Sequence, residues 1–117
     1  MSYDGTNGMD EKYACGPTDD KIFLLSEYEV TKYSKEAYNS SGAGNSRIRV
    51  TTDFAKANNA YQYTTDDGYG GYWWLRSPSY GRCNRARDVC YDGDADGSGY
   101  VTSLDNGVVP ALSIKLQ

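Results

Sequence analysis

The sequence has 117 residues, the size of a single domain, and carries 12 basic against 16 acidic side chains. It has no stripe of Lys and Arg side chains that could neutralise nucleic-acid phosphates and release their counterions, so we expect no nucleic-acid partner. No apolar run approaches the roughly 18 residues of a membrane-spanning helix, so we expect no membrane insertion. Leu, Ile, Val and Phe number only 17, so the 12 tyrosines and two tryptophans must supply much of a small core.

The N-terminal part of the chain, residues 1–20, is polar and rich in glycine, and we expect it to be irregular. It lacks the basic and apolar regions of a signal peptide and reads like a start inside a longer protein. A short apolar run at 21–26 is typical of a buried strand. We therefore expect one domain over 21–117.

Two short helices are predicted from their capping residues. Ser26 followed three residues later by Glu29 is a capping-box pattern, in which each side chain caps the backbone N–H of the other residue. This pattern predicts a helix over about 27–37. Thr52 is a favourable N-cap and predicts a second, smaller helix over 52–58.

From Tyr72 onward, the short ordered segments are predicted to be strands. Residues 72–76 and 109–116 have the apolar patterns of strands, and a mixture of cysteines, arginines and acids with no period lies between them. The side chains expected to hold a small sheet together are Trp73, Trp74, Leu75, Val89, Val101, Val108, Leu112, Ile114 and Leu116.

The sequence argues against an enzyme. It has no histidine, so no Ser-His-Asp or Cys-His arrangement can be built, and a zinc site of the usual Cys/His spacing is excluded. No glycine-rich phosphate loop precedes a helix. We therefore expect no catalytic residues and no cofactor. Of the three cysteines, Cys83 and Cys90 either form a disulfide across a bend or remain free thiols.

An acidic run at 92–97 imitates part of a calcium-binding loop, with carboxylates at Asp92, Asp94 and Asp96. A loop of the EF-hand type needs a bidentate acid at its twelfth position, where this chain has Ser103. Repeated Asp-Gly turns explain the same pattern without a metal. We therefore predict no metal site and keep calcium at the three aspartates as the alternative.

The stretch 79–107 has an unusual composition. It contains no Lys, Glu, Gln, Met or Trp, whereas residues 1–78 contain 14 of these. Surface loops favour Gly, Asp, Ser and Tyr, but they also accept lysine and glutamate, which are missing here. None of the five missing types can be reached from an asparagine codon by replacing only its adenines. Arg, Cys, Tyr, Asp, Ser and Gly, which are present, can all be reached in that way.

Several motifs resemble a family of bacterial and phage domains. They are Trp-Trp-Leu-Arg-Ser-Pro at 73–78, Ala86-Arg87 with Val89, Asp92-Gly93, Gly-Val-Val-Pro-Ala-Leu at 107–112, and the run at 21–26 with Glu29-Val30. The family resembles C-type lectins in fold, and many of its members are the variable proteins of diversity-generating retroelements. In these systems a reverse transcriptase miscopies adenines of a template, and the copy replaces the end of the target gene.

This resemblance covers about residues 20–117 and implies a scaffold that displays a diversified surface. The implied fold is α+β and C-type-lectin-like, with a small antiparallel sheet, two short helices and long loops. The chain departs from the family pattern in having Val109 where arginine is usual. Family members usually carry a further strand and helix before the equivalent of residue 20, so we expect a domain that is truncated at that side, minimal or independently paired. The implied location is the cell surface, the extracellular space or a phage particle, as part of a longer protein.

We therefore predict a non-enzymatic module that recognises an unidentified protein or cell-surface ligand through residues 80–105. The residues expected to project outward on one contiguous face are Arg82, Arg85, Asp88, Tyr91, Asp94, Ser98, Tyr100, Ser103 and Asp105. Tyrosine adds contact area at a low entropy cost, and arginine adds forked hydrogen bonds. The predicted ligand-binding residues are Tyr80, Arg82, Cys83, Asn84, Arg85, Asp88, Cys90, Tyr91, Asp94, Asp96, Ser98, Tyr100, Ser103 and Asp105. Arg87 is expected to belong to the scaffold instead, paired with an acid or a backbone carbonyl. The alternatives are a carbohydrate-binding adhesion lectin, assisted by calcium, and a structural or assembly domain.

Overall fold

The computed structural model describes residues 22–63 and 68–114, which form a small α+β domain. These residues contain two helices and one three-stranded antiparallel sheet. In chain order the elements are α1 (Glu27–Ser34), α2 (Asp53–Ala57), β1 (Trp73–Pro78), β2 (Arg85–Val89) and β3 (Gly97–Tyr100). The predicted irregular segment 1–20 lies outside the described residues, as do Cys15 and Leu116.

Both helices begin where their capping residues predict. The Ser26 hydroxyl accepts a hydrogen bond from the Glu29 N–H at 3.1 Å, and the Glu29 carboxylate accepts one from the Ser26 N–H at 2.9 Å. Helix α1 ends earlier than predicted, because Lys35 adopts a left-handed conformation with a φ of 61°. The Thr52 hydroxyl caps α2 by accepting from the Ala55 N–H at 3.1 Å. Among the described residues, no helix has the length and apolar character needed to cross a membrane.

The sheet has the strand order β1-β2-β3, so each strand pairs with its neighbour in the sequence. Arg85, the first residue of β2, lies opposite Tyr100, the last residue of β3. This meander places the turn 79–84 beside the end of β3, while the loop 90–96 lies at the opposite end of β2. The two segments that carry most of the predicted ligand-binding residues are therefore separated by the length of a strand.

The core lies between α1 and one face of the sheet. Its buried apolar side chains are Val30, Trp73, Leu75, Val89 and Ala95, with Leu25 and Val109 packed against them. The Trp73 indole N–H donates to the Arg47 carbonyl oxygen at 3.1 Å, so the ring is both buried and hydrogen-bonded. Trp73 is 3% exposed, which confirms the prediction that at least one tryptophan of β1 is buried. Trp74, on the opposite face, is half-buried.

The C-terminal part of the chain differs from the prediction. Over the described residues 109–114, Ala111 alone pairs, through backbone hydrogen bonds of 2.9 and 2.7 Å with Phe23, and no strand forms. The described part of the run at 21–26 forms no strand either; besides this bridge, Leu25 O accepts from the Arg76 N–H of β1 at 3.0 Å. Four of the predicted core residues are exposed: Val101, Val108, Leu112 and Ile114.

Candidate functional site

The predicted ligand-binding residues surround the hairpin of β2 and β3, and five exposed ones lie where β1 turns into β2 and where β3 ends. We call this set the hairpin rim, and its members are Tyr80, Arg82, Cys83, Asn84 and Tyr100. Two backbone hydrogen bonds hold the turn: Ser79 N–H donates to Arg85 O at 3.2 Å, and Val101 N–H donates to Asn84 O at 3.0 Å. Gly81 takes a left-handed φ of 66°, which closes the turn.

The other predicted residues do not share one outward face with the rim. Side chains of a strand alternate, so Arg85 and Asp88 leave β2 on opposite faces of the sheet. Tyr91, Asp94 and Asp96 follow the far end of β2, about 13 Å or more along the strand from Arg85. The expectation of one contiguous face is therefore wrong, and strand alternation is the reason.

The Arg85 guanidinium stacks on the Tyr100 ring across the β2–β3 pair, with its central carbon 4.1 Å from the ring centroid. The pKa of the Tyr100 phenol lies below its ordinary value. The main cause is a hydrogen bond with Arg85, and the positive charges of Arg85 and of Arg82 lower it further. Arg85 Nε is screened from solvent and has no hydrogen-bond acceptor among the described residues. This end of the hairpin therefore combines positive charge with an exposed phenol.

The predicted residues on β3 and in the loop after it are partly engaged by the protein itself. Ser98 is half-buried and lies opposite Arg87 in the sheet. The Ser103 hydroxyl donates to the Asp105 carboxylate. The Asp105 carbonyl oxygen accepts from the Tyr61 N–H at 2.8 Å, which ties this loop to the segment after α2.

Asp88 was predicted on the surface, but its side chain is buried and the prediction is wrong. The residue is 3% exposed and lies on the face of the sheet that Trp74 half covers. Its Oδ2 accepts from Asn106 Nδ2 at 2.9 Å, while Oδ1 has no partner among the described residues. Burial raises the pKa of Asp88 against the lowering effect of the Asn106 hydrogen bond.

Cys90 lies beside Asp88, and its thiol is also withdrawn from solvent. Burial, followed by the charge of Asp88, raises the pKa of Cys90 to about 12, so the thiol stays protonated at neutral pH. A Cβ added at Gly97 would overlap the Asp88 carboxylate and lie 2.6 Å from the Cys90 sulfur, so glycine is needed there. Cys83 is exposed, and both cysteines are free thiols rather than a disulfide.

Five tyrosine rings pack together beyond the far end of β2. We call this set the tyrosine cluster, and its members are Tyr61, Tyr63, Tyr69, Tyr72 and Tyr91. Tyr91 is the centre: it stacks on Tyr63 with centroids 4.8 Å apart and 8° between planes, and it meets the other rings edge-on at 5.6 to 6.4 Å. Burial raises the pKa of Tyr72 to about 12, so this phenol remains neutral. The predicted residue Tyr91 is thus half-buried among other tyrosines.

The three aspartates of the acidic run are each engaged by the protein. Asp92 Oδ1 accepts from the Asp94 N–H at 3.2 Å, and Asp94 Oδ1 accepts from the Asp96 N–H at 2.8 Å. The Asp96 carboxylate binds Arg87. Over residues 22–63 and 68–114, no group of three His, Cys, Asp or Glu side chains is arranged to hold a metal ion. The geometry of the run is that of consecutive Asx turns, which gives the calcium alternative no support.

Arg47 is a supporting residue that the sequence analysis missed. It is 1% exposed, and its guanidinium donates to Gly93 O at 2.7 Å, Ala37 O at 2.8 Å and Ser40 O at 3.0 Å. These bonds join the segment after α1 to the loop between β2 and β3. No local signal distinguishes Arg47 from the exposed Arg49, because the acceptors come from distant segments.

Arg87 is paired with acids and with a backbone carbonyl, as was expected of a scaffold residue. Its side chain is 13% exposed, and its Nε lies 3.6 Å from a carboxylate oxygen of Glu27 in α1. Arg87 therefore braces β2 against the helix. Arg85, two residues earlier, projects from the same face of the sheet, but it lies at the end of β2 against Tyr100, and Arg82 lies in the turn before it. The positions of Glu27 and Asp96 explain why, among the described residues, Arg87 alone of the three is paired with acids.

The comparison with known families identifies one match. The model of a domain family of unknown function, DUF6273, matches residues 2–116. No curated protein and no solved structure gave a significant match. Because the family model spans nearly the whole chain, the protein belongs to this family.

Proposed function

We propose that this member of the DUF6273 family is a non-enzymatic ligand-binding domain with a C-type-lectin-like fold. Residues 80–105 carry its binding surface, and the hairpin rim is the part that meets a protein or cell-surface ligand. The surface is diversified by a retroelement, so that the ligand differs between versions of the domain while the scaffold is retained.

The observation that carries this proposal is the separation of exposed from supporting side chains within 80–105. The rim projects from a turn held by backbone hydrogen bonds, and Tyr80 on it is 70% exposed. The residues beneath are buried or braced: Asp88, Val89, Gly93 and Ala95 are buried, and Arg87 is bound to two acids. Substitutions at exposed positions usually change the free energy of unfolding by no more than about 0.5 kcal/mol. The rim can therefore change its chemistry while the fold persists.

The side chains of the rim also suit recognition of varied ligands. They comprise two tyrosines, an arginine, an asparagine and a cysteine. Tyrosine presents a large amphipathic surface with few rotamers to order, and asparagine and arginine add directional hydrogen bonds, as in antibody paratopes. All of these types belong to the set that adenine replacement in asparagine codons produces.

Two matched libraries test the proposal. One library randomises four rim positions, Tyr80, Arg82, Asn84 and Tyr100; the other randomises four supporting positions, Arg87, Val89, Gly93 and Ala95. Protease resistance of the displayed domains measures the folded fraction. We expect most members of the rim library to stay folded and to yield binders to an immobilised test protein, whereas most members of the second library unfold. Equal losses in both libraries would contradict the division into display and scaffold.

The retroelement part has a separate test in the genome. We expect a near-copy of the segment coding for residues 79–107, richer in asparagine codons, beside a reverse-transcriptase gene. Differences between the two copies should fall at adenines of the template. A neighbourhood without such a copy would leave a binding domain that is not diversified in this way.

A carbohydrate-binding lectin is the second candidate, and the tyrosine cluster favours it. Half-exposed tyrosine rings offer flat apolar faces of the kind on which sugar rings stack. Binding to a glycan array that is lost in the Tyr63→Ala variant would support this candidate. If a chelator also abolishes glycan binding, the lectin is calcium-dependent. Rim substitutions, such as Tyr80→Ala, would leave glycan binding unchanged if the cluster alone is the site.

A further inference from the structure

Two neighbouring arginines lack the acidic or carbonyl partners that the other arginines of the described residues have. The other four each donate to carbonyl or carboxylate oxygens of the chain; they are Arg47, Arg49, Arg76 and Arg87. Among residues 22–63 and 68–114, no acidic oxygen lies within 4.0 Å of the Arg82 or Arg85 guanidinium. The chain has 16 acidic side chains, so a shortage of acids is not the reason.

Arg85 is held in a fixed orientation. Its guanidinium lies over the Tyr100 ring at 4.1 Å from the centroid, and stacking of this kind leaves the N–H donors at the edge of the guanidinium plane available. Its Nε is shielded from water and has no acceptor among the described residues. The group has therefore lost part of its hydration without an anionic partner in return, which reduces the desolvation cost of binding an anion.

Arg82 adds a second positive charge at the same place. It sits in the turn 79–84, where its N–H donates to Ser79 O at 3.4 Å and its side chain is exposed. The turn lies beside the end of β3, because Arg85 is opposite Tyr100 and the Val101 N–H donates to Asn84 O at 3.0 Å. The charge of Arg82 also contributes to the lowered pKa of the Tyr100 phenol. Two cations and one phenolic donor therefore belong to the same end of the hairpin.

We propose that Arg85, Arg82 and the Tyr100 hydroxyl form an oxyanion-binding site, which takes a carboxylate or phosphate group of the ligand. The Arg85 fork binds two oxygens of one group, Arg82 supplies a second charge, and the phenol donates a further hydrogen bond. The site deepens the proposed function and rests on it, since it joins two rim residues, Arg82 and Tyr100, to Arg85 and assigns a chemical class to one part of the ligand.

Titration with inorganic phosphate and with acetate tests the site, with chloride at matched ionic strength as the reference. Nuclear magnetic resonance of Arg85 Nε and of the Tyr100 ring reports binding at the site. We expect saturable shifts with half-saturation in the millimolar range, on the order of the affinity of one small-ion contact. Bound anion offsets the two cations, so the pKa of Tyr100 should rise toward its ordinary value.

Variants distinguish specific anion binding at these residues from general screening of charge by the added salt. Arg85→Lys keeps the charge but loses the fork, and we expect it to weaken binding about tenfold. Arg82→Ala should weaken binding severalfold. Arg49→Ala is the matched control, because Arg49, like Arg82, is exposed to solvent but donates to carbonyls at 2.8 and 2.9 Å, and the variant should bind the probes as the parent does. Equal weakening in Arg49→Ala, or shifts that never saturate, would overturn the site.

The two probes also identify the source of the group. Saturation with acetate but not phosphate assigns a carboxylate, such as that of an acidic side chain or sugar; saturation with phosphate alone assigns a phosphoryl group. Failure of the site is distinguishable from failure of the proposed function. If the rim library stays folded and yields binders while neither anion binds, only the oxyanion site is lost.

Discussion

Arg87 Nη1 donates to both the carbonyl oxygen and the carboxylate of Asp96, each at 3.0 Å. One side chain of β2 therefore closes the loop between β2 and β3 by binding the residue just before β3 begins. The same guanidinium faces Glu27 on α1, so the loop, the sheet and the helix meet at Arg87. Asp96, predicted as a ligand-binding residue, is engaged in this contact although its side chain is 46% exposed.

Replacement of Arg87 by alanine should lower the free energy of unfolding by about 3 kcal/mol, because it leaves the buried Glu27 carboxylate without its guanidinium. Arg82→Ala, at the rim, is the matched control and should change stability by no more than about 0.5 kcal/mol. Urea denaturation of both variants measures the difference. Equal and small effects at the two positions would mean that Arg87 is not a scaffold residue.

Trp73→Ala should lower the free energy of unfolding by about 3–5 kcal/mol, since it removes a buried ring from the centre of the core. The indole N–H that bonds the Arg47 carbonyl is lost at the same time. Trp74→Ala is the control on the opposite face, and its loss should be clearly smaller because that ring is half-buried. Thermal unfolding followed by circular dichroism compares the two. A greater loss of stability in the Trp74→Ala variant would show that the main core lies on the Trp74 face of the sheet, which would contradict its assignment to the Trp73 face.

Gly93→Ala should destabilise the fold more than Gly81→Ala, although both glycines have positive φ, 88° and 66°. A Cβ at Gly81 meets nothing within 4 Å, so only backbone strain of about 1 kcal/mol is expected. A Cβ at Gly93 would overlap the Asn45 side chain, which adds an overpacking cost for a total of about 3 kcal/mol. Chemical denaturation of the pair tests this, and equal losses would show that the Asn45 side chain moves away freely.

Asp88→Asn should stabilise the domain at pH 7 by about 1–2 kcal/mol, because it removes a buried charge with one unpartnered oxygen. The raised pKa of Asp88 sets the sign. Because the pKa of Asp88 is higher in the folded protein than in the unfolded chain, the folded state is stabilised by protonation of this carboxylate. That stabilisation is complete below the unfolded pKa of about 3.8, and it is lost as the pH rises through the pKa of Asp88 in the folded protein. The gain from asparagine should therefore shrink toward pH 4. Denaturation at both pH values measures it, and a loss at pH 7 would show that the carboxylate is required by the fold.

Local structure was predictable from the residues alone where its cause is local. The helix starts at Ser26 and Thr52 follow from side chains that bond backbone groups three residues away. The strand at 73–78 and the burial of one of its tryptophans follow from apolar patterning. The scaffold role of Arg87 was predicted too, but from family resemblance rather than from its neighbours.

Only the tertiary structure decided which side chains are covered and which are bound. Asp88 and Arg85 look equivalent in sequence, yet alternation along β2 places them on opposite faces of the sheet, with Asp88 buried beside Trp74 and Arg85 against the Tyr100 ring. Arg47 is buried because carbonyls of Gly93, Ala37 and Ser40 converge on it, and their convergence depends on how distant loops pack. Val101 and Leu112 are as apolar as core residues but are exposed, because they lie outside the faces that α1 and the sheet present to each other in the described part of the chain. A side chain's burial is set by what lies opposite it, and the partners of these residues are far away in sequence.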